Sequence, residues 1–131
     1  MILIDTSIWI EYFQKKPTVD VSAVDLLIEE RSAATCLPIK AEVLSGEMTT
    51  QTRSVVTLAL NALESIDPNW NSDDIWNQIT QLSIESRKRK IGLPGIVDRM
   101  ILISAKLANA QIWTLDKKMK QLAPIVPVTL F

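Results

Sequence analysis

Short apolar runs alternate along this chain with longer stretches of helical periodicity. Met1 to Ile4 is a continuous apolar run, the pattern of a buried strand. Ile8, Trp9, Tyr12 and Phe13 then follow at helical spacing, with Thr6 and Ser7 as caps and Lys15-Lys16-Pro17 as the stop. A second helix is predicted over 21–30, with Val24, Leu27 and Ile28 on one face, and a short strand over 33–37. Pro38 suits the first turn of a third helix, where its missing N–H is harmless, and Gly46 ends it. Residues 49–63 read as a long helix and Ser65-Ile66-Asp67-Pro68 as a brief strand and turn. Ser72-Asp73-Asp74 starts a helix to about Lys90 whose buried side is Ile75, Ile79, Leu82 and Ile84. Gly92-Leu93-Pro94-Gly95 is the clearest break. Beyond it the pattern predicts a helix over 97–110, a strand over 112–115, a short helix over 116–122 and a last strand over 125–129.

Strands separated by helices imply an α/β fold, with a short, mostly parallel central sheet flanked by helices. The 131 residues suit one domain, 1–131, and 47% apolar residues are ample for its core. A net charge of −1 gives no global pull on nucleic acid, so any such binding needs local positive charge. The chain has no histidine, which removes histidine bases, Ser-His-Asp and Cys-His catalysis, and histidine metal sites. Cys36 is the only cysteine and sits among apolar neighbours, so it is expected to be buried filler. No basic leader and no apolar span of membrane length are visible, and a cytoplasmic protein is expected.

Against this background four acids stand out. Asp5 closes the opening run, Glu42 lies in Ile39-Lys40-Ala41-Glu42-Val43-Leu44, Asp98 opens the stretch through Ala105, and Asp116 follows Ile112-Trp113-Thr114-Leu115. Each alone has a structural explanation, since Asp5, Asp98 and Asp116 lie where helix caps lie, and Glu42 suits an exposed helix face. Asp5 and Asp116 fall at the carboxyl ends of predicted strands, where open α/β sheets bind ligands, and Glu42 lies in the helix that follows another strand. Asp98 also precedes Ile101, Leu102 and Ala105 on the core-facing stripe. Clustered carboxylates resist ionising together without a cation, and oxygen-only ligation suits Mg²⁺ or Mn²⁺.

Ile2-Leu3-Ile4-Asp5-Thr6-Ser7, the Glu42 segment, the Asp98 helix and Thr114-Leu115-Asp116 resemble, in order and spacing, the motifs of PIN-domain nucleases. Over the whole chain the likeness is greatest to the VapC-type toxins of toxin–antitoxin pairs. The resemblance implies a PIN-like fold and a metal-dependent endoribonuclease. Asp5, Glu42, Asp98 and Asp116 would hold one or two Mg²⁺ or Mn²⁺ ions, which activate water for attack on an RNA phosphodiester. Ser7 and Thr114 would orient acids or water, or else serve only as a cap and a strand-end hydrogen bond. A small antitoxin is the implied partner, and a mean hydropathy of +0.16 adds a homodimer or an antitoxin groove.

Two positions depart from the family pattern. Arg99 directly follows Asp98, and Lys117-Lys118-Met119 follows Asp116. Arg99, Lys117 and Lys118 are candidate RNA contacts, as is the rim Arg87-Lys88-Arg89-Lys90, whose bland reading is a solvated helix end. Trp9, Tyr12 and Phe13 are expected to pack in the core or a dimer interface. The alternatives are a PIN-fold interaction module without turnover and a haloacid-dehalogenase-like phosphatase. The latter needs a second aspartate where Ser7 stands.

Overall fold

The computed structural model describes every residue of the chain except Pro17, so that part of the first predicted helix stop lies outside the described residues. The elements are β1 (Ile2–Ile4), α1 (Thr6–Phe13), α2 (Val21–Glu29), β2 (Ala33–Thr35), α3 (Leu37–Leu44), α4 (Thr50–Asn61), β3 (Glu64–Ser65), α5 (Asp73–Lys88), α6 (Ile96–Leu107), β4 (Gln111–Trp113) and α7 (Lys117–Leu122). The four strands form one sheet in the order β3-β2-β1-β4, and every pairing is parallel. Parallel neighbours need a crossover, and each crossover here contains helix.

Successive residues of a strand face opposite sides of the sheet. All three residues of β1 and all three of β2 are buried, so both faces are covered there. That is why these strands read as unbroken apolar or small runs instead of alternating ones. α6 supplies the most buried helix surface: Ile101, Leu102 and Ala105 are fully buried, as the predicted stripe requires. It packs on α5, α3 and β4. Trp9 is buried and meets Tyr12 edge-on and Phe13 stacked, at centroid separations of 5.7 and 5.8 Å, so the aromatic group is packing. Cys36 is buried, and burial pushes its thiol up to about 12.

Four expectations need correction, the first being Ile84, which lies on the exposed side of α5 and not with Ile75, Ile79 and Leu82. Residues 125–129 do not form a strand: the segment turns, and contact with β4 is one isolated bridge between Ile112 and Leu130. Pro124 and Pro127 lack ladder donors, while the buried Val126 and Val128 donate their N–H groups to the Ala123 carbonyl in a turn instead of to a strand. The 33–37 strand stops at Thr35 because Leu37 and Pro38 already start α3. Thr6 and Ser7 do not cap α1; they are its first residues, Asp5 is the cap position, and its side chain makes no capping bond.

Leu102→Ala should destabilise the chain by about 2–5 kcal/mol, the range for emptying a fully buried leucine site. Urea unfolding followed by far-UV circular dichroism measures it. A loss below about 1 kcal/mol would show that α6 is not the central packing element.

Candidate active site

Parallel strands end at one edge of their sheet, and the acids gather there. The register Ile4↔Trp113 is continued by Asp5 N–H donating to the Trp113 carbonyl at 2.9 Å, which brings Asp5 beside Thr114. Asp5 is only 4% exposed. A buried carboxylate needs partners, and two hydroxyls supply them: Ser7 Oγ donates to Asp5 Oδ2 at 2.8 Å and Thr114 Oγ1 donates to the same oxygen at 2.7 Å. Each hydroxyl has one proton, so the 3.4 Å approach of Ser7 Oγ to Thr114 Oγ1 is a contact without a proton to share. Their lone pairs accept from the chain beyond β4, Ser7 from Leu115 N–H at 3.0 Å and Thr114 from Asp116 N–H at 3.0 Å. The two hydroxyls thus fix Asp5 and the path to Asp116 together.

Asp116 realises its structural explanation with one oxygen. It is the N-cap of α7 and its Oδ1 accepts from Met119 N–H at 3.0 Å. Glu42 is held by a residue first taken for a cap: Thr6 Oγ1 donates to Glu42 Oε1 at 2.7 Å, joining α1 to α3. The sequence signal was present in Thr6 standing next to Asp5, but a link across 36 residues is invisible without the packing of α1 on α3. Asp98 lies in the first turn of α6, half-buried, and its carboxylate takes no hydrogen bond among the described residues. Burial pushes it up to about 6, and the charges of Asp116, Asp5 and Glu42 push the same way, with Lys118 opposing.

Asp116, Asp5 and Glu42 thus each lie within electrostatic reach of Asp98. They are nevertheless neighbours and not a closed cage: among the described residues no three such side chains stand close enough to enclose one ion as arranged here. Like charges without a cation between them disfavour ionisation, and the half-buried Asp98 is where that shows. The donor set is oxygen alone, the ligand chemistry of Mg²⁺ or Mn²⁺.

A further acid, Asp67, follows β3 at the same edge and was not singled out by sequence. Its oxygens accept from Leu37 N–H at 2.8 Å, Trp70 Nε1 at 2.9 Å and Ser65 Oγ at 2.6 Å, so it ties β3 to the start of α3. Arg99 Nη1 donates to the Ile79 carbonyl of α5 at 2.9 Å, while its Nε is buried with no partner among the described residues. Lys117 and Lys118 are exposed at the start of α7. All four residues of Arg87–Lys90 are exposed, and they close α5, where cations meet the helix dipole. The groove beside Glu42, about 570 Å³, is lined by Thr6, Ile10, Pro38, Val97 and Met100 among others. A hollow of about 610 Å³ near Arg31, Ala33 and Glu64 lies at the strands' amino ends, away from the acid cluster.

A family model described as PIN domain matches residues 2–124. The chain is 33% identical over 122 residues to ribonuclease VapC32 of Mycobacterium tuberculosis, covering 92% of this chain and 88% of that protein. It is 40% identical over 76 residues to ribonuclease VapC11 of the same organism, covering 56% of this chain. In that second match the chain spans about half the length of the relative, 54%. Among solved structures, VapBC2 from Rickettsia felis bound to a promoter DNA fragment has a TM-score of 0.75 at 23% identity, covering 100% of this chain and 98% of that one. VapBC-1 from nontypeable Haemophilus influenzae has a TM-score of 0.72 at 21% identity, covering 100% and 97%. These structural likenesses support the fold.

A carboxyl whose pKa is raised in the folded state stabilises by holding its proton. For Asp98 that contribution is full below its ordinary value of 3.8 and is lost as pH rises through about 6. In chelator, Asp98→Asn should therefore gain melting temperature over the native chain increasingly between pH 4 and pH 7. A difference that stays constant across that window would show that neither burial nor the neighbouring acids raise Asp98.

Proposed function

The chain belongs to the PIN-domain family, and on that premise we propose that it is a metal-dependent endoribonuclease that hydrolyses RNA phosphodiesters as the toxin of a toxin–antitoxin pair. The observation that carries this reading is the meeting of Asp5, Glu42, Asp98 and Asp116 at the carboxyl edge of the sheet, close enough for three of them to raise the pKa of the fourth. One or two Mg²⁺ or Mn²⁺ ions would be held by these four side chains. Such an ion supplies Lewis acidity to a phosphodiester and makes hydroxide available near neutral pH.

The chain's own groups divide the remaining work. Ser7 and Thr114 occupy Asp5 Oδ2 and leave its other oxygen for an ion. Thr6 does the same for Glu42 by occupying Oε1. Asp116 offers the oxygen that does not cap α7. Asp98, whose oxygens take no hydrogen bond among the described residues, would offer both to an ion, and a bound cation would favour its ionised form. The exposed Lys117 and Lys118 offset the acids' repulsion of an approaching polyanion.

Partners follow from the same reading. A small antitoxin that lays a cationic side chain among the acids would compete with the metal, and a guanidinium matches a carboxylate bidentately. Exposed apolar side chains, such as Leu58 at 73% and Val55 at 60%, support association of two copies. Among the described residues no helix is long and apolar enough to cross a membrane.

Asp5→Asn, Asp98→Asn and Glu42→Gln should each abolish Mg²⁺-dependent cleavage of RNA while far-UV circular dichroism is kept. Ser7→Ala, Thr114→Ala and Thr6→Val should lower metal affinity or cleavage by about 10–100-fold, as losing a ligand's orienting partner does. Full activity in Asp5→Asn ends the mechanism. A native chain that gives no heat on titration with divalent metal and cuts no RNA is an interaction module instead.

The isolated chain should be a homodimer by light scattering, and a monomer at high concentration refutes that. Removing the antitoxin's arginine should weaken inhibition, and unchanged inhibition refutes competition with the metal.

A further inference from the structure

The loop that enters α6 is pinned from beneath by a fully buried serine. Ser86, near the end of α5, points its Oγ at the carbonyls of Ile91 at 3.3 Å and Gly92 at 3.4 Å, and the Ser86 carbonyl accepts from Ile91 N–H at 3.1 Å. The single Ser86 hydroxyl proton is shared between the two carbonyls and, with the Ile91 N–H bond, ties the Ile91–Gly92 backbone to the end of α5. A Cβ added there would stand 3.2 Å from Lys118 Cε and 3.5 Å from its Nζ. Gly92 does not have a positive φ, so its backbone makes no demand for glycine. What glycine provides is room, and the stem of Lys118 uses it.

Lys118 is the second residue of α7, whose cap is the site acid Asp116. Among the described residues the two ion pairs are Lys16–Glu11 and Lys88–Glu85, and no hydrogen bond engages the Lys118 ammonium. Its charge is felt by Asp98, in opposition to the three acids. The result is an ammonium without a partner at the rim of four carboxylates, its stem lodged against a backbone that a buried hydroxyl holds still. Arg99, which follows Asp98, is bonded to the Ile79 carbonyl, and the exposed Lys117, which follows Asp116, has no backbone shelf such as Gly92 gives Lys118.

We propose that Lys118 is the substrate-phosphate contact of this site, binding the RNA backbone beside the reacting phosphodiester, and that Gly92 and Ser86 are the residues that position it. The proposal rests on the nuclease reading above and refines it. A strand bringing negative charge to four carboxylates needs an offsetting cation. A lysine ammonium is a compact charge with three rotatable donors that adapts to a phosphate at any base sequence. Such a contact raises affinity without choosing a sequence.

The test measures initial rates of the full chain on an end-labelled, mixed-sequence single-stranded RNA oligonucleotide at fixed Mg²⁺ and varied monovalent salt. Lys118→Met keeps the stem and removes the charge. It should raise KM more than it lowers kcat, and flatten the slope of log(kcat/KM) against log salt by about 0.7, the value for one phosphate contact on a single strand. Lys118→Arg should keep the native slope. Gly92→Val should weaken kcat/KM in the native background and add no further loss in a Lys118→Ala background, since the valine acts only through the lysine. An unchanged KM and salt slope in Lys118→Met, with the native chain cutting RNA, overturns this proposal and leaves the nuclease standing. A loss in Gly92→Val that persists in Lys118→Ala overturns the positioning link. A native chain that cuts no RNA overturns the nuclease reading and this proposal with it.

Discussion

A carboxylate buried at the end of the central strand is the constraint on which the structure depends. Asp5 is almost withdrawn from water, and a charge in that position is tolerable only with donors supplied by the protein. One donor comes from two residues along the chain and the other from 109 residues away. The distant one is available only if β4 lies beside β1, parallel and in the register that sets Ile4 against Trp113. Sheet order and site geometry are therefore one requirement. A slip of one residue would turn Thr114 to the other face and leave Asp5 with a single partner.

The acids at this edge have separate duties, and their hydrogen bonds tell them apart. Asp67 is fully occupied by a helix start, an indole and a serine, so it is masonry. Asp116 is divided between a helix start and the pocket. Asp5 and Glu42 are each gripped by hydroxyls on one oxygen only. Asp98 takes no hydrogen bond among the described residues, and burial together with the charges of the other three raises its pKa. Occupancy falls toward the centre of the charge cluster, the gradient expected where stability is given up for binding chemistry.

Much of this was legible in sequence, and the limits have physical causes. β1, α3 with its early proline, and the buried stripe of α6 were readable because each is a local pattern of polarity or backbone chemistry. The four acids were readable because charges that interrupt apolar runs are costly and need a reason. Residues 125–129 have the apolar content of a strand, but Pro127 within them and Pro124 just before cannot donate to a ladder. Thr6 was missed as the partner of Glu42, and Asp67 altogether, since their bonds depend on how helices pack across the sheet edge. Arg99 could not be assigned from composition: its carbonyl partner lies on another helix, and backbone carbonyls have no sequence signature.

The long reach of the Thr114–Asp5 bond also bears on how the chain comes into being. Strands β1 and β2 can pair as soon as both have left the ribosome, but β1 waits for its other neighbour until residues 111–113 follow. Domains emerge amino end first, and contacts of large sequence separation form late. Through most of translation the chain thus carries Asp5 and Glu42 with neither Asp98 nor Asp116 beside them. The cluster of four is assembled only after residue 116 has been made. An unfinished copy has no complete acidic site, so whatever chemistry the finished site performs is withheld from the nascent chain by topology alone.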